Sequence, residues 1–247
     1  MVQQLSLSTS VSEEVNLALF NSLSALTGVN GIPFARHTSV LAPRFPYLPP
    51  AKAGHIEQIQ SHRMRLFRVW ESSDLSVGEP IDKILNSDSE IFTLQLSDIP
   101  SAGNNPVLIQ NIHEVTIYQT DDIKGYLDEL GYKVETELWI KGHRWYWGEV
   151  IIESYKIWVK DSSQLQVENQ NENTNSNTIP LKPLSNISLV KTFINIAQKN
   201  DIESSKRAIK QLELLKKELS QIVELKIPDR MSMDSRIGTV YSKRTVI

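Results

Sequence analysis

The 247-residue sequence contains no cysteine. That excludes disulfides, thiolate metal ligands and cysteine nucleophiles. It also lacks any run approaching the roughly 20 apolar residues that a membrane-spanning helix needs. The opening stretch, MVQQLSLSTSVSEEV, has neither a basic region nor a continuous apolar segment, so no secretory signal is expected and the chain reads as soluble and intracellular. No one sign of charge dominates: 26 Lys+Arg against 29 Asp+Glu give a net charge of −3. Such a balance argues against a protein built to coat nucleic acid. The charge is uneven, however, with 11 basic against 7 acidic residues from Lys199 onward and 15 against 22 before it.

The familiar catalytic signatures are missing too. The five histidines, at 37, 55, 62, 113 and 143, show no His-x-His or His-Glu-x-x-His spacing, so no zinc site is expected. There is no phosphate-cradling glycine loop and no Gly-x-Ser-x-Gly elbow. Neither a cofactor site nor a catalytic residue set emerges.

What is present is a succession of strand patterns framed by helices. Val2 to Leu7 suits a short strand. Ser10-Val-Ser-Glu13 then has capping-box spacing, and Val15, Leu19, Leu23 and Leu26 follow at helical intervals up to Gly28. From Phe34 to Leu41 the period changes to two. The stretch from Pro43 to Pro50 holds four prolines and predicts a loop. Strands are expected at 62–70, 91–97 and 107–119, with a short helix from Thr120 or Asp121 to Leu130. The run YKVETELWIKGHRWYWGEVIIESYKIWV reads as a hairpin turning at Lys141-Gly142-His143. Residues 161–178 are low in complexity and predict a disordered loop. A last strand at 188–197 precedes a helix starting near Asp201, with Ala208, Leu212, Leu215, Leu219 and Ile222 forming one stripe. The sum is a mainly β chain with flanking helices (α+β) whose strands, about eight in number, form an antiparallel barrel. One domain covers 1–247, with the C-terminal helix and tail at 201–247.

Two constellations invite functional readings. With a turn at Gly142, Leu138 and Ile140 share a face with Trp145 and Trp147, while Glu135, Glu137 and Trp139 share the other with Tyr146, Val150 and Ile152. Both faces are largely apolar, which predicts cover on both sides, one side by the barrel's own core and the other by a helix or a partner chain. Glu135-Thr-Glu137 is the second. Two strand carboxylates at i and i+2 can hold a divalent cation, with Arg63 and Arg65 gripping phosphate. That arrangement resembles the triphosphate tunnel enzymes and their Glu-x-Glu-x-Lys strand, but here Trp139 stands at the lysine position. A barrel holding a small apolar ligand is a further possibility.

The stretches MVQQLSL, LSDIPSAGNN (96–105) and KKELSQIVELKIPDRMSMDSR (216–236) resemble the Mediator subunit 18 family, in the same order and spread over the whole chain. The resemblance implies a fold similar to the triphosphate tunnel barrels without enzymatic activity. It also implies a nuclear protein of the Mediator head module, the coactivator that links transcription factors to RNA polymerase II. The implied partners are Mediator subunit 20, barrel to barrel, and a C-terminal helix of Mediator subunit 8. Trp139, Trp145 and Trp147 of the aromatic hairpin are expected to face a partner, as are Arg230, Met231, Met233 and Arg236. Those last four are expected to run back over the barrel, with Pro228 ending the preceding segment and the methionines filling irregular gaps.

Overall fold

The computed structural model describes residues 1–46, 61–71, 91–118, 122–161, 181–197 and 201–237. Nine strands follow one another along it: β1 (Val2–Val11), β2 (Ile32–Pro43), β3 (Met64–Glu71), β4 (Ile91–Ser97), β5 (Leu108–Tyr118), β6 (Tyr132–Trp147), β7 (Val150–Lys160), β8 (Leu181–Pro183) and β9 (Ser188–Ile196). Among the described residues three helices interrupt them: α1 (Glu13–Thr27), α2 (Ile123–Glu129) and α3 (Ile202–Leu219). Hydrogen bonding runs in the order β6-β2-β3-β4-β5-β1-β9-β7, and β7 pairs back onto β6. Eight strands therefore close into a barrel, every pair antiparallel. The short β8 extends the same edge of β7 that β9 occupies.

The alternation within each strand shows how the wall is built. In β1, Leu5 and Leu7 are fully buried and alternate with Gln4 and Ser6. The leucines point outward. They join Trp145 of β6, Val150 and Ile152 of β7, and Val190 and Ile194 of β9 beneath Leu19 and Leu23 of α1 and the Ala208, Leu212, Leu215 and Leu219 stripe of α3. A smaller cluster places Leu41 and Leu66 against Leu127 of α2. The larger apolar core thus lies between barrel wall and helices, where each buried leucine contributes about 1.5–3 kcal/mol. Parity consigns the alternate, often polar residues to the bore.

Four expectations need correction. Ser10 does not cap α1: the strand continues through Val11 with Ser10 opposite Leu189, and Ser12 is the N-cap without a side-chain bond. For α2, Asp122 rather than Thr120 or Asp121 stands at the N-cap, its carboxylate accepting from the Gly125 amide at 2.8 Å; residues 119–121 lie outside the described residues. Pro43, expected in a loop, is the last residue of β2. The fourth concerns the hairpin. Residues 132–147 form one unbroken strand, and the turn falls at Gly148-Glu149, where Trp147 opposes Val150. Gly148 has φ 58°, the left-handed conformation that such a two-residue turn demands. Gly142 sits inside the strand because a β-carbon there would run into the Ser154 carbonyl and the Tyr155 backbone. The glycine marks close strand approach, not a turn. The predicted low-complexity loop at 161–178 and the prolines after Pro46 fall outside the described residues, Asp161 apart.

Candidate functional site

A continuous β6 changes which residues share a face. Trp139, Trp145 and Trp147 all have the same parity, and it is the outward one. Trp145 is only 1% exposed, its ring meeting Phe20 of α1 edge-on at 4.9 Å between centroids. Trp139 is 4% exposed, with the His37 ring at 4.9 Å and the Lys160 ammonium at 5.5 Å from its own. The expectation that these two indoles are presented to a partner is thereby corrected: the chain's own helices and side chains cover them, because an indole left in water forfeits more than any other side chain. Trp147, half-buried at the edge of the same cluster, is the one with surface left to offer.

The acidic pair also lies on the outer wall. Glu135 stands at a register shift between β2 and β6, where Leu41 follows Val40 but their partners are Val134 and Thr136. Its carboxylate takes the Arg63 guanidinium at 2.7 Å, and that bond holds its pKa below the usual range. Glu137 accepts from Lys160 and stands 3.4 Å from Nε2 of His37. Burial pushes its pKa up, but Lys160 and His37 outweigh that and leave it lowered. Burial, again the main cause, lowers His37 in spite of Glu137. Arg65 points the other way, into the bore. The four groups required for a metal-assisted phosphate reaction do not converge.

After α3 the chain becomes a strap. Lys226 exchanges two backbone hydrogen bonds of 2.8 Å with Ser8, which docks the segment on β1. Arg230 Nε donates to the Pro100 carbonyl at 2.7 Å, beyond the end of β4. A single 3-10 turn, Met231–Met233, follows. The Gln110 amide reaches out from the bore to the Met233 carbonyl at 3.3 Å and to that of Asp98 at 2.7 Å. Ser235 then donates to the Ser97 carbonyl, its own carbonyl accepts from the Arg63 amide at 2.7 Å, and the Ile237 amide donates to Ser61. Arg236 chelates Asp234 through contacts of 2.6–3.0 Å, which lowers the Asp234 pKa. The strap thus crosses the barrel rim from β1 past β4 and β5 to the start of β3. Met231 is 60% exposed while Met233 is half-buried, so one methionine faces away from the seam that the other helps fill.

The bore carries residues that sequence reasoning missed, beside Arg65, which it had singled out. Strand register turns Arg36 of β2, Arg65 of β3 and Lys191 of β9 to the inner face, with Lys191 opposite Glu153 of β7. Arg144 and the buried Glu153 form an ion pair at 2.8 Å, with the guanidinium 4.9 Å from the Phe34 ring centroid. Tyr155 lies close enough to Arg36 and Arg65 to feel both, while burial raises its pKa. The signal that would have revealed this set is the polar half of the strand alternation. It passes for a solvated face until closure of the sheet and the helix cover turn it inward.

A closed eight-stranded antiparallel barrel, clad by helices outside, charged within and strapped across one rim, defines the class to which this protein belongs. A profile of the family described as Med18 protein matches residues 3–236, and the chain belongs to that family. Relatives named Mediator of RNA polymerase II transcription subunit 18 include one from Yarrowia lipolytica, 29% identical over 248 residues, spanning 96% of this chain and 100% of the relative. Another, from Candida albicans, is 26% identical over 356 residues, spanning 96% and 99%. A chain in the structure of the Schizosaccharomyces pombe Mediator head module superposes with a TM-score of 0.66 at 17% identity, covering 92% of this chain and 98% of that one. At such identity the likeness concerns the fold.

Proposed function

We propose that the chain acts as a non-enzymatic, protein-binding subunit of the Mediator coactivator in RNA polymerase II transcription, and so works in the nucleus. The observation carrying this reading is the extent of the family match, which runs from β1 to the end of the strap and so takes in barrel and strap together. In this proposal Mediator subunit 20 docks barrel to barrel, and the C-terminal helix of Mediator subunit 8 lies along the strap. Trp147, Arg230, Met231, Met233 and Arg236 are the contact candidates, Met231 foremost because its thioether is exposed beside ordered backbone. The competing reading, a metal-dependent tripolyphosphatase, needed Glu135, Glu137, Arg63 and Arg65 in one cavity. Glu135 and Glu137 are instead neutralised outside it by Arg63 and Lys160.

Co-expression with subunit 20 and the C-terminal segment of subunit 8, followed by light scattering, tests the proposal. A stable species with one copy of each is the expected outcome. A folded chain that remains monomeric beside both would overturn it.

A further inference from the structure

We propose that the outer face of α3 binds an acidic amphipathic helix of a partner protein, seated on Leu214 and paired with Lys206, Lys210 and Lys217. With about 3.6 residues per turn, these side chains stand on the side of α3 opposite Ala208, Leu212, Leu215 and Leu219, which lie against the barrel wall. Leu214 is 48% exposed, and the lysines are exposed as well. An amphipathic helix turns its apolar residues to the covered side, so a leucine on the far side is out of pattern. Lys210 and Lys217 frame it one turn to either side, and Lys206 extends the line by a further turn. Among the described residues no carboxylate forms an ion pair with any of these lysines, whereas the neighbouring Arg207 has Glu149 at 3.3 Å.

The distribution of charge selects an acidic occupant. Before Lys199 the acidic residues outnumber the basic ones, 22 to 15, and from there on the balance is 11 basic to 7 acidic. An acidic partner is therefore repelled by the body and drawn to this end of the chain. The spacing selects a helix. Lys206, Lys210, Leu214 and Lys217 climb α3 in steps of about 6, 6 and 4.5 Å, the steps at which a second helix laid alongside presents its own side chains. An apolar side chain of that helix covers Leu214, and carboxylates one turn away meet the lysines, as charged positions flank the apolar seam of paired helices. Glu213 and Glu218 border the line and are exposed. They disfavour nucleic acid, whose phosphates would meet them with like charge. The face holds none of the strap residues proposed above as contacts, so its partner is additional to theirs.

Fluorescence anisotropy of the full chain with a labelled synthetic helix of about five turns, bearing leucine at its centre and glutamates one turn to either side, tests the face. Saturable binding in the micromolar range is expected. It should weaken about tenfold or more with Leu214→Gln, and likewise with Lys210→Glu and Lys217→Glu combined. Added salt should weaken it further. The substituted positions are exposed, and glutamine and glutamate are good helix formers; circular dichroism checks the fold of each variant. Binding that survives Leu214→Gln overturns the proposal, because charge attraction alone then accounts for it. Equal binding of a peptide with serine in place of its central leucine does the same, as does tighter binding of a short DNA duplex. Absence of saturable binding at millimolar peptide shows a merely solvated face and overturns the proposal too.

Discussion

Lys191 shows at a single residue what the bore demands of the chain. Its pKa is about 8 when folded, against 10.5 for an ordinary lysine. Below pH 8 both folded and unfolded forms are protonated and the fold carries the whole penalty of the buried charge. Between pH 8 and 10.5 the folded form sheds its proton first, so this group's contribution to stability rises with pH. Lys191→Met is therefore expected to be more stable than the unaltered chain at pH 7, by up to roughly 3 kcal/mol. The gap should close towards pH 10.5. Urea melts at pH 7 and pH 10 read this directly, and a gap independent of pH would show that Lys191 titrates normally. Little of this was legible in the sequence, where Lys191 falls within an ordinary alternating strand. Burial of a lysine is a property of closure, and no local pattern encodes it.

Among the elements, α1, α3 and most strands were readable because their periods are pure: Leu19 and Leu23 of α1, and Ala208 through Leu219 of α3, do face the core. The hairpin was not, because Gly142 stands where turn glycines stand but serves to let β7 approach. The tryptophan faces were misassigned for the same reason: the displaced turn inverted the parity of Trp145, Tyr146 and Trp147, which lie between the supposed turn and the true one, while Val150 and Ile152 kept the face of Trp139. The strap had no period to read, and its Arg230 donates to the Pro100 carbonyl beyond the end of β4. Its hold on the rim rests on side-chain donors as well as backbone ones. Replacing Arg230 and Ser235 together by Ala removes two such donors, at about 1 kcal/mol each. Amide exchange at Arg63 and Ile237 should then quicken by about 30-fold while the barrel's own amides keep their protection. Unchanged exchange would mean that the backbone bridges at Ser8 and His62 hold the strap unaided.

For the whole molecule the decisive seam is the one between β6 and β7. Without it the nine strands would form an open sheet with β6 at one edge. Gly142 lies on that seam opposite Tyr155, and an added methyl group there meets backbone rather than movable side chain. Gly142→Ala is accordingly expected to destabilise the fold by at least roughly 2 kcal/mol, measured by chemical denaturation. An unaltered midpoint would show that the strands have room to part. The number of strands and their antiparallel pairing were foreseeable from the spacing of the β-rich runs, but which strands meet was not. The placement of β1 is the clearest case, for it lies between β5 and β9, and Gln4 hydrogen-bonds Asn195, a partner 191 residues away. During synthesis at roughly 5–20 residues per second, the first strand therefore waits some 10–40 s for its second neighbour to leave the ribosome. For that interval its two leucines, bound for the helix-covered wall, lack the β9 side of their cover.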